Sequence, residues 1–218
     1  MRGLTASLFR ASKWYNIRMR IILASKSPRR KEIMSLITSD FEIISEDVNE
    51  RAIEARVLMD GGDSVAVQKE LARAKASAVF SSLPISERNE CIVIGADTSV
   101  VCDDKILGKP EDKDDARKML RMLCGRTHEV ITGVCVKSAS FEENYAEITR
   151  VRFGDLDSFQ EELIERYINT DEPYDKAGAY GIQNGGALLV ETVEGDYFNV
   201  VGLPVRRLSR ILGHLHIG

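Results

Sequence analysis

Residues 24–30, with the sequence ASKSPRR, combine side chains that suit a polyphosphate. Ser27 is a plausible helix cap, and Pro28 fits the first helical position, where its missing N–H costs nothing. Residues 29–31 then place three cations in the first turn, where the helix dipole disfavours positive charge. Free backbone N–H groups and two guanidinium forks at a helix start can bind phosphate oxygens. A solvated basic turn or a loose nucleic-acid contact is the alternative, and the wrong-sign charge favours the anion site.

A single carboxylate follows a strongly apolar run. Residues 91–94 are four consecutive apolar residues, which predict a strand covered on both faces, and Asp97 stands where this run ends. A carboxylate at the end of a buried central strand is placed where it can titrate abnormally or hold a metal. A strand-terminating Asx turn is an equally good interpretation. Gly95 and Ala96 tilt the balance towards a site, because small residues let a ligand approach the backbone.

Two other charged segments have the composition of binding loops. Lys109 lies between Gly108 and Pro110 and is a second candidate phosphate cation, or else an ordinary loop lysine. Residues 45–50 carry three carboxylates in five positions, and this loop either is solvated or holds a divalent metal. The spacing alone does not choose between these two readings.

Residues 175–183 are too rich in glycine for a routine strand. They predict backbone close to a ligand, with Gln183 able to offer both a donor and an acceptor to a base edge. A tight packing turn is the alternative. The three histidines, His128, His214 and His216, lack a partner pattern and are expected to be structural or exposed.

Composition limits the class of protein. A chain of 218 residues can form one domain or two small lobes with a substantial core. Its net charge of −4 argues against a general nucleic-acid binder, and no apolar run approaches the roughly 20 residues that span a bilayer. The four cysteines form no C-x-x-C pair and are expected to be buried reduced thiols in a reducing compartment. Walker-type and G-x-G-x-x-G motifs are not found, which disfavours P-loop enzymes, kinases and dehydrogenases.

The first residues of the chain differ from the rest. Residues 1–19 carry several basic side chains, and no acid appears before Glu32. Such a start is compatible with a mitochondrial presequence. A disordered extension, with Met19 as an internal start, is the alternative. We therefore expect a cytoplasmic protein, with a mitochondrial location as the alternative.

Apolar periodicity and turn signals predict strands and helices in alternating groups. Strands are predicted at 21–23, 41–44, 91–102, 106–107, 127–137, 145–153 and 187–192, and helices at 28–37, 64–80, 112–124, 158–169 and 203–215. The helix at 158 is predicted to begin with a capping box formed by Ser158 and Glu161.

Taken together, five ordered motifs resemble the Maf family of nucleoside triphosphate pyrophosphatases. They are SKSPRR at 25–30, GADT at 95–98, GKP at 108–110, the segment 175–183 and NVVGLP at 199–204. The resemblance covers the chain from Arg20 to Leu212. It implies an α/β fold with an elongated mixed central sheet flanked by helices, and a nucleotide cleft between two lobes. It also implies a single catalytic domain at 20–218 and a homodimer. Residues 1–19 are an N-terminal extension that departs from the family pattern.

The resemblance further implies cleavage between the α- and β-phosphates of a nucleoside triphosphate. Asp97 matches the catalytic carboxylate, which activates water, and Asp97 and Glu50 match the ligands of a divalent metal, Mg²⁺ or Mn²⁺. The substrate-binding positions are Ser25, Arg29, Arg30, Lys75, Thr98, Lys109 and Gln183. By its pattern alone, Lys75 is an ordinary exposed lysine on a helix. The connection at 81–90 is longer than in the family, so Lys75 is farther from Asp97 along the sequence than is usual there.

The plain Ser-Pro-Arg-Arg start, Thr98 and Gln183 resemble the family branch that acts on dTTP and UTP, and modified pyrimidine nucleotides are included in this expectation. We expect a nucleoside triphosphate partner and neither nucleic acid nor membrane. Two other functions remain open at this stage. One is a non-catalytic nucleotide-binding regulator of cell division, and the other is a purine-directed enzyme that removes inosine or xanthosine triphosphate.

Overall fold

The computed structural model of the chain describes residues 19–215, so the predictions for residues 1–18 and for His216 lie outside the described residues. Strands and α-helices are interspersed along this part of the chain. They are β1 (Arg20–Ala24), α1 (Pro28–Met34), β2 (Glu42–Ile43), α2 (Glu50–Met59), α3 (Ser64–Ser82), β3 (Cys91–Cys102), β4 (Lys105–Leu107), α4 (Lys113–Leu123), β5 (Thr127–Lys137), β6 (Glu142–Phe153), α5 (Ser158–Tyr167), β7 (Val190–Glu194), α6 (Tyr197–Val201) and α7 (Val205–His214). None of the helices in residues 19–215 is long and apolar enough to cross a bilayer.

The strands form one mixed sheet in the order β2-β1-β3-β5-β6-β7, with β4 beside β3. β1 runs parallel to β2 and β3, and the other neighbours are antiparallel. β3 is central because it pairs with β1, β4 and β5, and its register sets Asp97 opposite Gly133 and Thr98 opposite Thr132. The predicted α/β class with a mixed central sheet is confirmed.

Helices cover both faces of this sheet. On one face, Ile22, Ala24, Cys91 and Val93 pack with the apolar residues of α3. On the other face, the alternate residues of the same strands pack with α1, α4, α5 and α7. Side chains of a strand alternate between faces, so Asp97 belongs to the α3 face and Thr98 to the opposite face.

Two glycines let α3 lie unusually close to the sheet. A Cβ added at Gly95 would lie 2.2 Å from the carbonyl oxygen of Ala72, and one at Gly133 would lie 2.1 Å from that of Gln68. The sequence suggested that Gly95 admits a ligand, but the backbone that approaches it belongs to α3. This close packing carries Lys75, which is adjacent to Ala76 over Gly95, to Asp97. The prediction that Asp97 stands where its strand ends is wrong, because the pairing of β3 with β5 continues past it and β3 ends at Cys102.

Several boundaries differ from the sequence prediction. The helix α2 was missed because it has no buried residues and therefore no apolar stripe. The five residues of α6 were also missed. The predicted capping box at Ser158 is wrong, since the cap is Asp157, whose Oδ1 accepts a hydrogen bond from the Gln160 N–H at 2.8 Å. β7 begins at Val190, because 3₁₀ turns occupy Asn184–Leu189. The four cysteines are free and buried, as expected.

The α3 packing makes a stability prediction. Gly95→Ala should lower the free energy of unfolding by about 1–3 kcal/mol, because the added methyl overlaps the α3 backbone. The matched control is Gly213→Ala in α7, where no atom lies within 4 Å of the added Cβ. That change should raise stability by up to about 1 kcal/mol through helix propensity. Urea unfolding of both variants measures the two effects, and an unchanged midpoint for Gly95→Ala would contradict the packing argument.

Candidate active site

The start of α1 forms one wall of a charged cleft. Ser27 caps this helix, as predicted, with its Oγ accepting from the Arg30 N–H at 3.5 Å, and Pro28 occupies the first turn. The buried Ser25 accepts a further hydrogen bond from the Ser27 N–H at 3.2 Å. The first turn holds no acid, so the positive charges there are not balanced by a carboxylate in the same turn.

Arg30 is held by the protein on almost every side. Its Nε donates to the carbonyl oxygen of Gly202 at 2.8 Å, and its Nη1 donates to the Ala96 oxygen at 2.8 Å and to Ser25 Oγ at 3.4 Å. Its Nη2 donates to Thr98 Oγ1 at 3.0 Å. A guanidinium has five N–H donors, so these contacts leave one for a ligand.

The charge of Arg30 is partly desolvated. Burial lowers the pKa of the Arg30 guanidinium, and the negative charge of Asp97 opposes this shift. An arginine remains ionised in proteins at neutral pH, so Arg30 contributes a fixed positive charge at the junction of α1 and β3.

Lys75 joins the two predicted metal ligands. Its Nζ forms an ion pair with Asp97 and another with Glu50 Oε1 at 2.7 Å. The side chains of Lys75 and Asp97 are only 16% and 15% exposed. The long connection at 81–90 therefore does not keep Lys75 away from Asp97 in space, because α3 packs directly on β3 at Gly95. Glu50 comes from the first residue of α2, the helix that sequence reasoning missed.

These groups line a cleft of about 490 Å³, which we call the charged cleft. It contains residues of both charges: the cations Lys26, Arg29, Arg30, Lys75 and Lys109, and the acids Glu46, Asp47, Glu50, Asp97 and Asp175. Lys109 is exposed, and the Gly108 carbonyl before it accepts from the Gly178 N–H at 3.0 Å, which fixes the loop against residues 175–183.

A second cavity of about 380 Å³, the side pocket, adjoins the charged cleft. The two share residues 27–30 and Asp175. Thr98 and the half-buried Gln183 line the side pocket, whereas Asp97 lines the charged cleft. The alternation of β3 explains this division, because Asp97 and Thr98 point to opposite faces of the sheet. Arg30 lies between the two cavities and lines both.

The glycine-rich segment is both a packing turn and a pocket wall. Gly178 has a φ of +67° and packs against Val100, and a Cβ on Gly186 would lie 2.1 Å from the Gly181 carbonyl oxygen. Gly181 and Gln183 nevertheless line the side pocket. The two alternatives from the sequence are therefore compatible.

Sequence reasoning assigned no role to Asp175, which belongs to both cavities. Its Oδ2 accepts from Arg29 Nη1 at 3.0 Å, and its Oδ1 accepts from Lys176 Nζ at 2.6 Å. Burial raises the pKa of Asp175, but the hydrogen bonds from Lys176 and Arg29 outweigh it, so the pKa lies below its usual value. The sequence did contain a signal for this role, since Asp175 is the first residue of the glycine-rich segment 175–183.

His128 was expected to be structural or exposed, and it is buried in the core at 1% exposure. Its Nε2 is 2.8 Å from the hydroxyl of Tyr180, which lines the side pocket, and burial lowers the pKa of His128 to about 4. A neutral histidine therefore supports this wall of the pocket.

The family model described as "Maf-like protein" matches residues 20–215. This chain belongs to the Maf family. Its relatives include proteins named dTTP/UTP pyrophosphatase from Clostridioides difficile, Thermoanaerobacter sp. and Pyrococcus furiosus. They are 46%, 47% and 46% identical, each across 89% of this chain and across 94%, 95% and 96% of their own lengths. The family resemblance noted in the sequence is confirmed.

The donor set of this Maf protein fits a divalent cation bound together with a phosphate ligand. In residues 19–215 no three His, Cys, Asp or Glu side chains are grouped to hold a metal. Glu50 and Asp97, however, both contact one ammonium group, so their carboxylates converge on a position that a cation can occupy. Mg²⁺ is commonly bound by one or two carboxylates, with substrate phosphates and waters completing its shell. Two converging carboxylates beside the charged cleft provide the protein ligands that such a site needs.

The arginine pair makes a second stability prediction. Arg30→Lys should lower the free energy of unfolding by about 2 kcal/mol, because an ammonium cannot reach the separate acceptors on Gly202, Ala96 and Thr98. Arg29→Lys is the matched control and should cost less than about 1 kcal/mol, since Arg29 has one ion pair to a largely exposed carboxylate. Urea unfolding compares them, and equal losses would contradict the proposed asymmetry.

The His128 environment predicts acid sensitivity. The folded state holds His128 neutral down to a pKa of about 4, whereas the unfolded chain takes up the proton near its ordinary value of 6.5. Stability from this group is therefore full above pH 6.5 and is lost as the pH falls towards 4, by roughly 3 kcal/mol in total. His128→Gln should remove this component. Unfolding free energies of both proteins at several pH values test it, and parallel profiles would contradict the assignment.

Proposed function

We propose that this chain is a nucleoside triphosphate pyrophosphatase that hydrolyses dTTP and UTP to the monophosphate and pyrophosphate. The observation that carries the proposal is the position of Asp97, which lies within the central strand β3 and contacts Lys75 in a cleft with four arginine or lysine side chains from other segments. The names of the relatives support the choice of substrate.

The charged cleft suits the polyphosphate part of the substrate. Phosphoryl transfer depends mainly on positioning and on neutralising the oxygens that carry charge in the transition state. Arg29 and Lys109 supply charge from two different segments that line the cleft, and Lys75 supplies it beside Asp97. Arg29 must exchange its partner Asp175 for phosphate, which is favourable because its ion pair is partly exposed.

Asp97 is the proposed general base. In this proposal it accepts a proton from the attacking water while the bond between the α- and β-phosphates breaks and pyrophosphate leaves. Lys75 holds the Asp97 carboxylate in place and keeps it next to Glu50. A Mg²⁺ or Mn²⁺ ion held by Asp97 and Glu50 would add charge neutralisation and would make a bound water more acidic.

The side pocket is the proposed nucleoside site. Gln183 offers an amide donor and acceptor, and Thr98 offers a hydroxyl, on a wall that continues into the charged cleft through Arg30. We include modified pyrimidine nucleotides in the substrate class, because the same amide edge can pair with them.

Three further expectations remain proposals. We propose a single catalytic domain at 20–218, supported by the family match over residues 20–215 and by one continuous sheet. We also propose a homodimer in the cytoplasm. Light scattering on the purified protein tests the dimer, and fluorescent fusions of the full chain and of the chain from Met19 test the location.

The function is tested with a matched pair of aspartate variants. Wild-type protein with dTTP or UTP and Mg²⁺ or Mn²⁺ should release pyrophosphate, and a chelator should stop the release. Asp97→Asn should lower kcat by on the order of 10²–10⁴-fold, because the amide cannot accept the proton. Asp103→Asn is the control, since Asp103 lies in the β3–β4 turn, and its φ of +48° suits asparagine.

Chromatographic identification of the products separates the alternatives. Orthophosphate in place of pyrophosphate would indicate a different hydrolase, and a preference for inosine or xanthosine triphosphate would indicate the purine-directed enzyme. Tight nucleotide binding without metal-dependent turnover would favour the regulator and would overturn the proposal.

A further inference from the structure

A chain of hydroxyl groups runs inward from the side pocket into the core. Arg30 Nη2 donates to Thr98 Oγ1, and Thr98 Oγ1 lies 2.9 Å from Thr132 Oγ1 on the neighbouring strand β5. Thr132 Oγ1 then donates to the carbonyl oxygen of Asn199 in α6 at 3.0 Å. Only Thr98, of these two threonines, lines the side pocket, and Thr132 is fully buried.

The number of protons on each threonine hydroxyl fixes which group donates and which accepts in every one of these hydrogen bonds. A threonine hydroxyl has one proton and two lone pairs. The Asn199 carbonyl can only accept, so the Thr132 proton is committed to it. The contact between the threonines therefore uses the Thr98 proton, which leaves Thr98 as the donor and Thr132 as the acceptor. Arg30 occupies one lone pair of Thr98, and a single lone pair remains.

The hydrogen bond at the inner end, from the Thr132 hydroxyl to the Asn199 carbonyl, has a fixed donor and acceptor. The φ of +129° at Gly202 ends α6, and the Leu203 N–H donates to the Phe198 carbonyl instead of that of Asn199. The Asn199 carbonyl is thus left for the Thr132 hydroxyl. The Asn199 side chain is fixed as well, since its Nδ2 donates to the Val130 carbonyl and to Thr149 Oγ1, both at 3.0 Å.

We infer that Thr132 is a positioning residue that makes Thr98 an acceptor-only group in the side pocket, so that the pocket selects a nucleoside carrying an N–H or O–H donor at that point. The inference rests on the proposed function only in taking the side pocket as the nucleoside site. An unpaired lone pair facing a substrate lone pair is repulsive and leaves both without a partner, which is the basis of selection.

The donor has two chemical sources. Uracil and thymine carry a proton on N3, whereas N3 of cytosine is an acceptor, so a base contact would reject cytidine nucleotides. A sugar hydroxyl would give the same hydrogen bond without distinguishing the bases. Comparing UTP with CTP tests the base, and comparing UTP with its 3′-deoxy form tests the sugar.

The test is a substitution at Thr132, which lies outside the pocket. Thr132→Val removes the acceptor of the Thr98 proton and frees that proton to point at the ligand. For a base contact, the ratio of kcat/KM for UTP to that for CTP should fall about tenfold. For a sugar contact, the ratio of UTP to 3′-deoxy-UTP should fall instead. Thr132→Ser keeps the hydroxyl and should restore the wild-type ratios.

Thr149→Val is the control for general damage to this part of the core. Thr149 is also fully buried and also bonds Asn199, but it does not contact Thr98. This variant should change stability without changing either ratio. Wild-type ratios in Thr132→Val, or an equal change in Thr149→Val, would overturn the inference.

Binding measurements keep the inference separate from catalysis. Calorimetry with non-hydrolysable α,β-methylene analogues of UTP, CTP and 3′-deoxy-UTP gives the same ratios without turnover. An absence of hydrolysis with a Thr132-dependent binding ratio would reject the proposed function alone. If Thr132→Val does not fold, equal binding of the three analogues by wild-type protein would itself overturn the inference.

Discussion

The hydrogen bonds of Arg30 hold the two cavities in a fixed relation. This side chain starts from the first turn of α1 and donates to the backbone of β3 at Ala96 and to the end of α6 at Gly202. It also contacts Thr98, the first residue of the hydroxyl chain that continues to Asn199. Three segments that are far apart in the chain thus share one guanidinium. Because four of its five N–H donors are used by the protein, Arg30 mainly holds these segments together.

The central strand β3 divides the chemistry between its two faces. Asp97 points towards α3 and the charged cleft, and its neighbour Thr98 points towards the side pocket. The two functions that we propose, attack on the phosphoanhydride and selection of the nucleoside, therefore use adjacent residues without competing for the same space. A shift of one residue in the register of β3 would exchange these faces, so the long antiparallel pairing with β5 is part of the site.

Close packing of α3 gives the charged cleft its counter-ion. Gly95 and Gly133 remove the side chains that would keep this helix away from the sheet, and Lys75 is thereby brought to Asp97 and Glu50. Lys75 balances two converging carboxylates that would otherwise repel each other.

The sequence by itself determined the family, the mixed α/β class, the capped start of α1 and the end of the apolar run at Asp97, because motifs, caps and apolar periodicity are local signals. It did not determine α2 or the Asp157 cap, since α2 lacks an apolar stripe and Asp157 is as good a cap as Ser158. Only the tertiary structure decided that Lys75 lies between Glu50 and Asp97, that Arg30 is tied to Gly202, and that Thr98 is hydrogen-bonded through Thr132 to Asn199. These contacts join residues from separate strands and helices, and their geometry depends on sheet register and helix packing, which no local pattern of residues records.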